Sequence, residues 1–328
     1  MKSTFGNSLL REPIYAKAAP EALGVLRILV YGIWLFHFLM SSPRTAASLP
    51  AGLFQCSGIL CLIPEGVWDI ILTVEGLTAL KWFGIAAIAA AALGVRPFPL
   101  VAAPAFLAIL LYDGTAKGFG GFVNHAQFGP LYAALLLVLF PAADGLSIMG
   151  RRPRGHTPRL YGAPLLGAAV VLSVAYCFVG TRRLLAGGLE IFTGEALRNW
   201  IVARTVEGSN FGFELGLTLV ESDLNYFGMR IGFAVVTLFE ILTPLAIFSP
   251  LFRWVWLAVM VPFHVVTLLT MNIFFWENLL LIAVLFTPLA HALAARTGIT
   301  PPRLYAQAAA APSAPPPART GGAAPPPD

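Results

Sequence analysis

The chain has 328 residues, of which 58% are hydrophobic and 11% charged, and its mean hydropathy is +0.78. Soluble domains carry about 25% charged residues, so this composition excludes a water-soluble globular protein, and no strand alternation competes with a helical membrane protein. The net charge of +5 would suggest nucleic acid in a soluble chain. Here the arginines sit between apolar runs, where they set membrane topology, and the expected partner is the lipid bilayer.

Apolar runs of roughly 17 to 25 residues predict an all-α, polytopic bundle of about eight spans. A cytoplasmic N-terminal segment, 1–23, precedes it. It lacks the apolar core and small-residue cleavage site of a signal peptide, so the first span is expected to be an uncleaved anchor. That span, 24–40, carries Arg27 and His37. In the following loop, "QCSGILC" places Cys56 and Cys61 where an oxidising compartment permits a disulfide. Two cysteines without nearby histidines do not make a zinc site, and no metal is expected. The stretch "DIILTVE" (69–75) reads as an interfacial helix leading into the second span, 72–93, which contains Lys81.

The third span is predicted at 98–113 and the fourth at 127–142, with Asn124 and His125 at its start. The fifth, 162–180, includes Cys177 as a small packing residue. A long segment follows, 181–228, in which polar and charged residues alternate with Leu, Ile, Phe and Trp behind Arg182 and Arg183. Its expected form is a re-entrant or amphipathic piece. The last three spans lie at 229–248, 252–272 and 275–294, with Glu240 and His264 inside the first two. Beyond the membrane domain (24–295), residues 296–328 are rich in Pro and Ala and read as a disordered tail.

Alternating spans put Lys2, Arg11, Lys17, Arg96, Arg151, Arg152, Arg154, Arg159, Arg253, Arg296 and Arg303 on one side. The short loops of the other side hold Arg44 and Lys117. Short basic loops stay inside, so both termini are expected in the cytoplasm of a cell (inner) membrane, with 181–228 outside.

Ionisable groups within spans are costly and default to a functional role. Arg27, His37, Lys81, Glu240 and His264 form that set, joined by Asn124 and His125. Thr237, Thr243 and Pro244 fall on the Glu240 face at helical spacing, and Thr267 shares a face with His264. A plainer reading stands beside each. A lone intramembrane histidine such as His37 often only bonds a neighbouring helix, and Arg27 is near enough to its span end to snorkel.

Four segments resemble the HTTM membrane-domain family, to which vitamin K-dependent γ-glutamyl carboxylases belong. They are "LGVLRILVYGIWLF" with Arg27, "FVNHAQFGPLYAALLLVLFPAADGLSI", "VGTRRLLAGGLEIFTGEAL" and "FHVVTLLTMNIFFWENLLLIAVLF". The resemblance spans roughly residues 20 to 290 and implies a polar pocket holding Asn124, His125 and His264. Arg182 and Arg183 stand where the family has a lysine pair that supplies the base for reduced vitamin K. Arginine stays charged and cannot take up a proton, so the resemblance does not extend to carboxylase activity.

Two readings follow. In one, the bundle binds or helps mature an amphipathic ligand, such as a quinone, a lipid or a small apolar peptide, with Arg182 and Arg183 at the pocket's external mouth holding an anionic group. Arg27, from the matching opening helix, joins the ligand-binding candidates. In the other, the chain is a membrane enzyme using His125, His264 and Glu240 for acid–base chemistry on a quinone or lipid-like substrate. A transporter is a weaker third reading, because no repeated half and no paired helix breaks are seen.

Overall fold

In a computed structural model, residues 13–56, 58–119, 125–150, 156–206 and 211–296 are described. Among them all regular structure is helical. The order is α1 (Pro20–Met40), α2 (Pro43–Ala47), α3 (Glu65–Ile71), α4 (Val74–Leu93), α5 (Phe98–Gly118), α6 (Phe128–Leu139), α7 (Pro158–Gly187), α8 (Glu190–Thr193), α9 (Ala196–Val206), α10 (Leu215–Glu221), α11 (Asp223–Ile241), α12 (Leu245–Phe248), α13 (Pro250–Met271), α14 (Trp276–Phe286) and α15 (Leu289–Arg296).

Six of these, α1, α4, α5, α7, α11 and α13, are long and apolar enough to cross a membrane, while α6 and α14 are shorter apolar helices. The expected fourth and eighth spans are therefore cut short, and one device explains both. Phe140 and Thr287 are extended (ψ 159° and 169°), and each precedes a proline, Pro141 or Pro288. A proline disfavours helical backbone in the residue before it and lacks the N–H that would continue the ladder. The eighth span is thereby divided into α14 and α15.

The other boundaries shift for equally local reasons. Thr73 caps α4 by accepting from the Gly76 amide at 2.9 Å, which divides the expected interfacial stretch between α3 and α4. Ser222 accepts from the Asn225 amide and starts α11 six residues before the expected 229. That helix then stops at Ile241, three residues before Pro244, instead of running on to 248. The largest difference is in α7. No breaker intervenes after residue 180, so the helix runs on to Gly187 and turns at Gly188, whose φ of +53° favours glycine. Arg182 and Arg183 thus lie on a spanning helix and not in a loop beyond it.

The main core forms around α1, which packs against α4, α6, α7, α14 and α15. Its Tyr31, Trp34 and Phe38 are all at most 1% exposed. A second, smaller core joins the short helices of 181–228 to the bundle. Leu197, Ile201 and Val220 pack there with Tyr226, Phe233 and Met271. Outward, the bundle presents bare aliphatic side chains, with Leu100, Leu139 and Leu251 70% exposed or more. Such a belt suits a lipid solvent and not water.

Candidate functional site

The site begins with a spacing in α7. Tyr176, Gly180 and Arg183 stand at i, i+4 and i+7, on one helix face. Gly180 permits α11 to approach closely, since a Cβ there would meet the Glu240 Cβ and the Thr237 carbonyl oxygen, each at 3.0 Å. One turn further on, the Arg183 guanidinium reaches across this contact. Its Nη1 donates to Glu240 Oε2 at 2.5 Å and to Thr237 Oγ1 at 2.7 Å, and Nη2 donates to Glu240 Oε1 at 3.4 Å. Its central carbon lies over the Phe233 ring, 4.5 Å from the ring centre. Glu240 is 2% exposed, so each charge depends on the other for solvation.

From α13, His264 meets the same face. Its Nε2 is 2.7 Å from the Tyr176 hydroxyl, within hydrogen-bond distance and buried. The Asn278 side chain of α14 approaches that hydroxyl as well. Asn278 is 3% exposed, and its Oδ1 has no hydrogen-bond partner among the described residues. Tyr176, Arg183, Glu240, His264, Thr267 and Asn278 all line one cavity of about 60 Å³. Trp200 of α9 lines it as well. The segment before α10 is strapped down by Asn272, whose side chain accepts from the Phe213 amide at 2.7 Å and donates to its carbonyl at 2.8 Å.

The structure sorts the expected residues. His264, Glu240 and Arg183 come together. Arg182 is exposed, on a different face of α7 from its neighbour, so the two arginines do not form one mouth. Glu240 stands in the last turn of α11. Thr237 does share its face, whereas Thr243 lies past the helix end and accepts from Trp256 Nε1 at 3.0 Å. Asn124 lies outside the described residues, as do Arg151, Arg152 and Arg154 and the tail beyond 296. Of His125 only the backbone is described, in a short 3₁₀ turn, 125–127, packed against α14. Tyr176, Asn278 and Trp200 are site residues that sequence reasoning missed. The spacing of Tyr176 to Arg183 was the available signal.

Arg27 belongs elsewhere. It is fully buried and donates to the carbonyl oxygens of Ala92 (3.2 Å), Ala142 (2.5 Å), Gly145 (3.0 Å) and Leu146 (2.6 Å). It neither lines the cavity nor snorkels. It ties α1 to the end of α4 and to the chain after α6, where Pro141 leaves carbonyls without helical partners. His37 pairs with Glu277 of α14 at 2.9 Å, and Lys81 donates to the Ser41 carbonyl at 2.7 Å. Cys56 and Cys61 are joined as a disulfide, with Cα atoms 5.0 Å apart.

Among the described residues no group of three or more His, Cys, Asp or Glu is placed to hold a metal ion. The chain matches no family model, no curated protein and no solved structure.

Proposed function

We propose that this chain is a multi-pass protein of the cell membrane, with both termini cytoplasmic, that binds the polar end of an amphipathic, lipid-like molecule in the cavity between α7, α13 and α14. The observation that carries the reading is the buried acceptor Asn278 Oδ1, unpaired beside the Tyr176–His264 contact in a cavity otherwise walled by apolar helices. A buried acceptor left unpaired costs about 1–3 kcal/mol, and a ligand donor would recover it. The resemblance to HTTM membrane domains, which implies a polar pocket that includes His264, supports this reading. Carboxylase chemistry is not part of the proposal, because Arg183 stays charged and is already engaged by Glu240.

A second reading, acid–base catalysis on a membrane substrate, is favoured by the Tyr176–His264 hydrogen bond of 2.7 Å. A histidine bonded to a phenol can pass a proton to a reacting group within reach.

Mass spectrometry of lipids that co-purify with the full chain tests the binding reading. Wild type is expected to retain an amphiphile that Asn278→Leu loses by about tenfold, the equivalent of one hydrogen bond of ~1.4 kcal/mol. Thermal unfolding would confirm that the variant is folded. Identical lipid content in both proteins would overturn the reading.

A further inference from the structure

Beside the polar cavity lies a much larger space, and the two share part of a wall. A groove of about 610 Å³ runs between α11 and α13. Phe233, Phe263, Thr267 and Met271 line both it and the polar cavity. On α11 the floor of the groove is made by Gly228 and Gly232, four residues apart. Nothing lies within 4 Å of where a Cβ would stand on either. The pair therefore keeps a channel open toward the lipid-facing surface instead of seating another helix of this chain.

Resting on the binding reading above, we infer that the ligand is an uncharged, hydroxyl-bearing lipid of the acylglycerol type. It enters sideways from the bilayer, with its head in the cavity and its acyl chain in the α11–α13 groove. Three observations select this class. Among the described lining residues the fixed charges are Arg183 and Glu240, which neutralise each other, so an anionic head would meet the Glu240 carboxylate with no fixed cation to spare. Asn278 Oδ1 needs a donor, which a hydroxyl supplies. The cavity, at about 60 Å³, is well short of the ~150 Å³ that accepts a benzene ring. A quinone ring would need side chains to move aside, whereas the terminal hydroxymethyl group of a glycerol end would not.

The groove supplies route and shape, not hydrophobic energy, because bilayer chains are as apolar as its walls. Filling it should block occupancy while leaving the cavity intact. Gly228→Leu and Gly232→Leu suit this purpose, since both side chains have open space and leucine is the better helix former.

The test uses two photoreactive monoacylglycerols in phosphatidylcholine vesicles carrying the full chain, one with its diazirine at the glycerol end and one at the chain end. The head probe is expected to label residues around Tyr176 and Asn278. The chain probe is expected to label α11 and α13 at the groove, falling about tenfold, or ~1.4 kcal/mol, in Gly228→Leu or Gly232→Leu. Chain labelling spread over all lipid-facing helices and unchanged in the glycine variants, with head labelling intact, overturns the lateral groove alone. Absence of head labelling at the cavity overturns the ligand class, and identical co-purifying lipid in wild type and Asn278→Leu overturns the binding reading itself. Displacement of the head probe by a quinone or by phosphatidic acid, but not by unlabelled monoacylglycerol, overturns the ligand class.

Discussion

The Arg183 guanidinium and the Glu240 carboxylate lie 2.5 Å apart across the α7–α11 contact, with the Thr237 hydroxyl as a second acceptor. Removing one partner of such a pair strands a charge in a low-dielectric interior, whereas removing both does not. Arg183→Met and Glu240→Met are each expected to destabilise the protein by about 3–5 kcal/mol. The double variant should lose far less than the sum. Unfolding in detergent micelles, read as a double-mutant cycle, checks this. Additive losses would show that the two side chains do not depend on one another.

The two adjacent arginines are expected to behave differently. Arg182 is exposed, so Arg182→Ala or Arg182→Lys should change stability by no more than about 0.5 kcal/mol. Arg183→Lys replaces a planar fork that serves Thr237 and both Glu240 oxygens with a single ammonium. It should cost about 1.5–3 kcal/mol, the range for a hydrogen bond to a charged group. Thermal midpoints of the lysine and alanine variants decide it. Equal tolerance of lysine at both positions would reduce Arg183 to a headgroup anchor.

How far the sequence reveals this arrangement differs from element to element. Hydropathy marks every membrane helix because backbone in lipid must bond to itself, and eight apolar segments are legible as runs. Their ends are less so, because Pro141, Pro288 and Gly188 act through backbone torsion and leave hydropathy unchanged. The ionisable residues are visible as exceptions, but their roles are not. Arg27 and Arg183 are both intramembrane arginines, yet one holds four carbonyls and the other a carboxylate. That choice depends on which helix end comes to rest beside each, a property of packing and not of local sequence. Asn278 escapes notice because an asparagine beside Glu277 at a span edge looks like an interfacial residue. Its burial follows from α14 starting inside the bundle.

Arg27 offers a structural prediction of its own. Four carbonyl oxygens from two chain segments converge on one guanidinium. A lysine has three donors and no planar fork, so Arg27→Lys strands at least one buried carbonyl. The expected loss is about 2–4 kcal/mol, combining a lost charge-assisted bond with an unpaired acceptor. The retained charge makes this variant informative. If Arg27→Lys unfolds at the wild-type temperature, the arginine is only an anchor and the carbonyl cage contributes little.

The last prediction joins the disulfide to the orientation of the chain. The Cys56–Cys61 loop follows α1 and α2, and Glu195 lies after α7, between α8 and α9. Helices α1 and α7 run the same way if the spans alternate, so both sites share one side. Oxidised pairs persist in oxidising compartments, so that side is expected to be external and Arg159, at the other end of α7, cytoplasmic. In a Cys177→Ser background, Glu195→Cys should react with an impermeant maleimide on intact cells. Arg159→Cys should react only after permeabilisation. Without reduction, the unmodified protein should offer one alkylatable thiol of its three cysteines. Closing so short a loop stabilises by about 2 kcal/mol, so Cys61→Ser should lower the unfolding temperature modestly without loss of fold. Labelling of position 159 from outside would invert the assigned topology. Three free thiols in unreduced protein would remove the disulfide as an argument for that side.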